Sequence, residues 1–143
     1  MLRISKLADY AMLIMSHLAK QQDRVLSANL LAETLHLTIP TTSKVLKMLS
    51  EAHLVASVRG AEGGYHLAKL AEKITVADVI MAIEGKLSMT ECCAMEGLCH
   101  IETRCTMKEN WLKINTMIYS MLSTLTITDM SQPLNALRLA YGK

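Results

Sequence analysis

Apolar residues in the first half of this chain return every three or four positions, the spacing of helices that bury one face. In residues 5–20 they are Leu7, Ala11, Ile14, Met15 and Leu18, and Ser5 stands where an N-cap belongs. At 100° per residue, Asp9 lies about 200° round from Leu7, so it points away from that helix's own core. A second helix starts at Ser27 and carries Leu30, Leu31 and Leu35. The break His36-Leu37-Thr38 separates it from a third, which has Pro40 in its first turn, where the missing N–H costs nothing. Val45, Leu46, Leu49 and Ala52 face inward on that helix. Pro40, Ser43, Lys44, Lys47 and Glu51 project outward, with Thr41 at the edge. Two short helices around a tight turn, the second presenting small polar and basic residues, predict a helix-turn-helix.

The period then shifts from helix to strand. Leu54–Val58 and Tyr65–Ala68 flank Arg59-Gly60-Ala61-Glu62-Gly63-Gly64, which reads as a hairpin with a Gly-rich tip. A hairpin directly after a recognition helix is a wing, and its Arg59 could enter a minor groove. Thr75–Glu84 returns to helical spacing with Val76, Val79, Ile80 and Ile83 on one side, until Gly85 stops it. Further on, Met107, Trp111, Ile114, Ile118, Met121 and Leu125 step by 4, 3, 4, 3 and 4. Such a heptad seam could pair two chains. Residues 126–143 are less regular and are expected to trail over the surface. The expected fold is mainly α with a small β-hairpin. It comprises a winged helix-turn-helix domain at 1–85, a cysteine loop at 86–106, a long dimerisation helix at 107–126 and a C-terminal tail at 127–143.

Composition narrows the function. With 143 residues, 51% of them apolar, the chain can bury one core, and 11 Met with no Phe and one Trp mean that aliphatic and Met side chains fill it. Net charge is only +2: residues 1–85 carry 9 Lys/Arg against 8 Asp/Glu, and residues 86–143 carry 6 against 5. Nucleic-acid binding must therefore rest on local clustering and on dimerisation, which doubles the contacts. The candidate contacts are Thr38, Thr41, Ser43, Lys44, Lys47 and Arg59. No apolar run reaches the ~18–20 residues that cross a bilayer. The stretch Ala11–Ala19 could mimic a signal-peptide core, but Asp9 just before it and His17 within it interrupt the pattern, so a cytoplasmic protein is expected. No nucleophile–base–orienter set, phosphate loop or paired carboxylates suggest an enzyme or a small-molecule substrate.

Cys93, Cys99 and Cys105 form Cys-x5-Cys-x5-Cys, and Cys92 adjoins the first. In a reduced compartment, thiols this close usually hold a metal or cluster rather than disulfides. Buried apolar cysteines are the bland alternative. Zinc fits less well, because its paired ligands usually stand two to four residues apart. An iron–sulfur cluster, 2Fe–2S or 4Fe–4S, accommodates the longer intervals. Cys92 could replace Cys93, since Cys92-x6-Cys99 also closes a loop, and His100 beside Cys99 is a further possible ligand.

Four stretches carry a specific resemblance: LRISKLADYA at Leu2–Ala11, LVASVRGAEGGYHL at Leu54–Leu67, MTECCAMEGLCHIETRC at Met89–Cys105 and NWLKIN at Asn110–Asn115. Together they resemble the iron–sulfur winged-helix regulators, the family of the Isc regulator and the nitric-oxide sensor NsrR. Within it they look most like the branch that regulates the SUF cluster-assembly operon. The resemblance implies a homodimer crossing through its long C-terminal helices and a palindromic double-stranded DNA operator. It also implies a cluster between each cysteine loop and the partner's first helix. Where the Isc regulator has a histidine three residues after its third cysteine, this chain has Lys108, a poor iron ligand. In the nitric-oxide-sensing branch an aspartate of the partner's first helix completes the set, and Asp9 matches that position. The function expected is cluster-dependent regulation, as a repressor of SUF genes. The alternatives are nitric-oxide sensing through the cluster, or a zinc- or thiol-redox-responsive regulator without iron.

Overall fold

In the computed structural model, which describes residues 3–134, the five expected helices and the hairpin follow in the order expected, joined by two further four-residue helices and short 3-10 turns. Helix α1 (Lys6–Lys20) begins at Ser5, whose hydroxyl accepts from the Ala8 amide, and it buries Ala8, Ala11, Ile14, Met15 and Leu18. Helices α2 (Ala28–Thr34) and α3 (Ile39–Glu51) are capped in the same way by Ser27 and Thr38. Both also end alike. His36 and His53 take φ of 54° and 57°. The following amides then reach back: Leu37 N–H to Ala32 O at 2.9 Å and Leu54 N–H to Leu49 O at 3.0 Å. These are Schellman closures with histidine where glycine is commoner. The first turns the chain between α2 and α3, and the second turns it from α3 into the hairpin.

Strands β1 (Val55–Val58) and β2 (Gly64–Leu67) pair antiparallel, Val55 opposite Leu67 and Val58 opposite Gly64. Sequence reasoning missed that the hairpin has a third partner. Leu26 and Tyr65 exchange backbone hydrogen bonds of 3.0 and 2.8 Å. This ties the wing to the segment before α2. A short 3-10 turn, Ala71–Lys73, leads into α4 (Val76–Glu84), which starts on a Thr75–Asp78 capping box and ends at Gly85 with φ 80°.

Ala11, Ile14, Met15, Leu18, Leu31, Val45, Leu46, Leu49, Ile74 and Val79 make the centre of one core. Ile127 joins it with no exposed surface. The expectation that the chain trails over the surface from 126 onward is therefore corrected at its start. Thr126 opens a short helix α7 (Ile127–Met130) with its own capping box, and the Ile127 amide donates to Ile74 O at 2.9 Å. An isolated bridge between Thr75 and Thr126 closes the same seam. Residues 135–143 of the expected tail, and Leu2 of the first matching stretch, lie outside the described residues.

Helix α5 (Glu91–Ala94) and the single 3-10 turn Glu102–Arg104 shape the cysteine segment before the long helix α6 (Lys108–Thr124). Helix α6 packs on α4 and α5 but buries none of its residues fully. Within the expected seam, Trp111 and Ile118 are half-buried, while Met107, Ile114 and Met121 are exposed. Leu125 caps the helix in extended conformation. Among the described helices none is long and apolar enough to cross a membrane.

Candidate DNA-binding surface and cysteine centre

The recognition helix is built for exposure on one side. Val45, Leu46 and Leu49 fix α3 to the core, which leaves Ser43, Lys44 and Lys47 in solvent. Thr38 holds the helix entrance: its hydroxyl accepts from the Thr41 amide at 3.3 Å and donates to Thr41 Oγ1 at 2.8 Å. The Thr41 side chain is thereby set at the N-terminal rim, where the helix N–H dipoles favour a phosphate. Lys47 also reaches Glu51 across one turn at 3.9 Å, a weak exposed pair that leaves its ammonium available. Arg59 is exposed at the wing tip, next to Gly60 at φ 120°. Gly64 lets the wing sit where it does, because a β-carbon there would stand 2.5 Å from the Leu26 carbonyl.

All four cysteines are free thiols, Cys93 buried and Cys92, Cys99 and Cys105 half-buried. Thr90 precedes α5 in the N-cap position, yet its hydroxyl makes no cap bond. It faces sulfur instead, 3.1 Å from Cys92 Sγ and 3.2 Å from Cys93 Sγ. The rest of the segment closes on Glu102, which retains only 9% of its surface. Its carboxylate accepts from the Gly97 amide at 2.6 Å and from Lys108 Nζ at 2.7 Å. The Lys108 hydrogen bond, then the Gly97 amide, hold the Glu102 carboxyl below its ordinary range, and the same pair raises the Lys108 ammonium. Lys108 is thus committed to a carboxylate.

Asp9 is exposed on α1, in the outward direction that periodicity gave, and His100 is exposed in the loop. The donor chemistry suits a soft centre: reduced sulfurs confined to a short segment. Convergence is a separate matter. Among the described residues of a single chain, no three His, Cys, Asp or Glu side chains lie close enough to hold one ion.

Sequence reasoning missed Thr90, Glu102 and Asn115. A threonine just before Glu-Cys-Cys and an asparagine within an apolar helical stripe were the available signals for the first and last. Nothing in the spacing of Glu102 and Lys108 announced their contact.

The Rrf2 family, described as "Iron-dependent Transcriptional regulator", matches residues 4–133. The HTH-type transcriptional regulator CymR of Bacillus subtilis is 29% identical over 141 residues, 98% of this chain and 97% of that one. The regulator IscR of Yersinia pseudotuberculosis is 30% identical over 130 residues, 90% of this chain and 79% of its own length. Among solved structures, T. potens IscR superposes with a TM-score of 0.70 at 30% identity, covering 99% of this chain and 90% of that one. With the helix-turn-helix, wing and long helix in the same order, the chain belongs to the Rrf2 family of winged-helix transcription regulators.

Proposed function

We propose that this regulator is a homodimer that reads a palindromic operator, and that an iron–sulfur cluster on its cysteine segment sets its operator affinity. The observation that carries the reading is the position of three regularly spaced free thiols, directly between the DNA-binding domain and the long helix. Cys99, Cys105 and either Cys93 or Cys92 would hold the cluster, with the partner subunit's Asp9 as fourth ligand. Asp9 faces outward on α1, within reach of a second chain rather than of its own core, and among the described residues of one chain the thiols do not converge, so the reading requires the cysteine segment to draw together around the cluster. The exposed apolar residues Ile114, Met117 and Met121, which share one face of α6, supply the surface for that pairing.

On DNA, Thr41 and Ser43 reach base edges, Thr38 keeps the helix entrance in shape, Lys44 and Lys47 take phosphates, and Arg59 lies in the minor groove. A bound cluster supplies a centre sensitive to oxidants, nitric oxide and cluster demand. Asp9 contributes from the first helix of the DNA-binding domain. Its engagement or release biases that domain's orientation between two states. The family description and the IscR relative support this reading, and the resemblance to the SUF branch favours repression of SUF genes.

A second reading has one observation in its favour. The unconverged thiols also suit a regulator that responds to thiol chemistry without iron, and the B. subtilis structure described as "the Global Cysteine Regulator" is 31% identical with a TM-score of 0.73. Anaerobic purification decides between them. The cluster reading expects visible absorption with matching iron and sulfide, abolished in Cys99→Ala. A colourless wild type that fails reconstitution leaves the thiol reading.

A further inference from the structure

Asn115 is a polar residue on α6, and its half-buried amide faces backbone rather than water. Its Oδ1 accepts from the Met89 amide at 3.0 Å and its Nδ2 donates to Leu87 O at 3.2 Å. One side chain thus holds two alternate residues of the segment that leads into α5. Thr90 follows at once, with its hydroxyl on the two thiols. A hydroxyl has one proton. Thr90 donates it to Cys93, and its oxygen is then free to accept from the Cys92 thiol. On the other side of the segment, Lys86 Nζ donates to Ala94 O at 3.1 Å, and Glu84 accepts from the Ser5 amide at the start of α1 at 2.8 Å.

We infer that Asn115 and Thr90 are positioning residues that fix the Cys92–Cys93 pair to α6, so that a change at the thiols moves the segment between α4 and α6. A threonine in a helix's N-cap position normally serves the helix, whereas this one serves sulfur. An asparagine amide satisfied on both sides by one backbone segment fixes register, because any shift of that segment along α6 breaks both bonds. The signalling part of the inference rests on the reading of the cysteine segment as the sensing element; the geometric part does not.

The test uses cluster-free, full-length protein and timed iodoacetamide labelling read by mass spectrometry at each cysteine. Wild-type Cys93, only 3% exposed, should label more slowly than Cys92. Asn115→Leu keeps the size of the side chain and removes both bonds. It should raise Cys93 labelling about thirty-fold, the scale of two net hydrogen bonds on a local opening equilibrium. Asn115→Asp, which still accepts from Met89, should fall between. Thr90→Val, the same shape without the hydroxyl, should speed Cys93 labelling while leaving Cys99 and Cys105 at wild-type rates. A purely structural role would not move the second readout, the ratio of operator affinities for labelled and unlabelled protein. That ratio should shrink toward one in Asn115→Leu while unlabelled affinity, measured where the variant is folded, stays near wild type. Wild-type labelling rates in Asn115→Leu and Thr90→Val overturn the positioning role, whatever the cluster does. If labelling rises but the wild-type affinity ratio is already one, the sensing reading fails and the coupling falls with it, while the clamp itself stands.

Discussion

Replacing Gly64 with alanine should displace the wing without touching any DNA-contacting side chain. The β-carbon of Gly64→Ala would stand 2.5 Å from both the carbonyl carbon and oxygen of Leu26 and 2.8 Å from the Ser27 nitrogen. All three are backbone atoms, so no flexible side chain can yield. Unlike Gly60, Gly64 does not occupy the left-handed region, so the substitution tests close approach alone. The two segments must part by roughly 1 Å to reach the ~3.5 Å at which carbons meet without overlap. That separation carries the 3.0 and 2.8 Å bonds between Leu26 and Tyr65 beyond useful range. Overpacking of this kind costs about 1–3 kcal/mol and each of the two lost bonds about 1 kcal/mol net, so the total is about 3–5 kcal/mol. For a chain of this size the melting temperature should fall by about 9–15 °C, measured by circular dichroism at fixed protomer concentration. At a temperature where the variant is folded, operator affinity measured by anisotropy should also drop, because Arg59 rides on the displaced hairpin. A melt within ~1 °C of wild type would show that the wing does not depend on this contact.

Other consequences are separate. Lys44→Ala and Lys47→Ala should weaken binding to all DNA sequences and lower the salt slope by about one per phosphate contact. Arg59→Ala should lose affinity chiefly on operators with a narrow A·T-rich minor groove, and equal affinity across operators would remove Arg59 from that role. Ile127→Ala should destabilise the fold by about 2–5 kcal/mol in urea, as a core truncation does, whereas a change within ~0.5 kcal/mol would return α7 to the surface. Ile114→Glu should convert dimers to monomers in light scattering, and a wild type that is already monomeric at micromolar concentration would contradict the pairing of α6. The Glu102 tie should depend on pH at both ends. The Glu102 carboxyl is lowered, so the tie is complete above the ordinary carboxylate range and is lost as pH falls through that lowered value. Lys108 is raised, so at the alkaline end the tie is lost only as pH climbs past its raised value. The Gly97 amide proton shift should report the acid transition, and Glu102→Gln should abolish it.

Local signals were legible in the sequence. The hydroxyls of Ser5, Ser27, Thr38 and Thr75 cap the helices they precede, because capping acts within three residues. The inward set of α3 follows from period, and the hairpin from two strand-like runs around a Gly-rich joint. Contacts across long separations were not legible. Leu26 meets Tyr65 from outside any strand-like pattern, and Ile127 stands between two threonines with no periodic neighbours to mark it as core. The heptad steps gave α6 correctly but could not say that Trp111 and Ile118 lean on their own chain while Ile114 and Met121 face out. In the cysteine segment, spacing identified the thiols but not Thr90, Glu102 and Asn115, which hold the segment in shape through single contacts that no repeat announces.

The most direct test is operator affinity measured anaerobically on one palindromic duplex, with protein reconstituted with iron and sulfide and with the same protein stripped of both. Cluster-dependent regulation expects at least a ten-fold difference between the two forms, on the order of 1.4 kcal/mol, and expects Cys105→Ala to bind like the stripped form under both conditions. Equal affinity in the reconstituted and stripped states, with the cluster verified by its absorption, would contradict it.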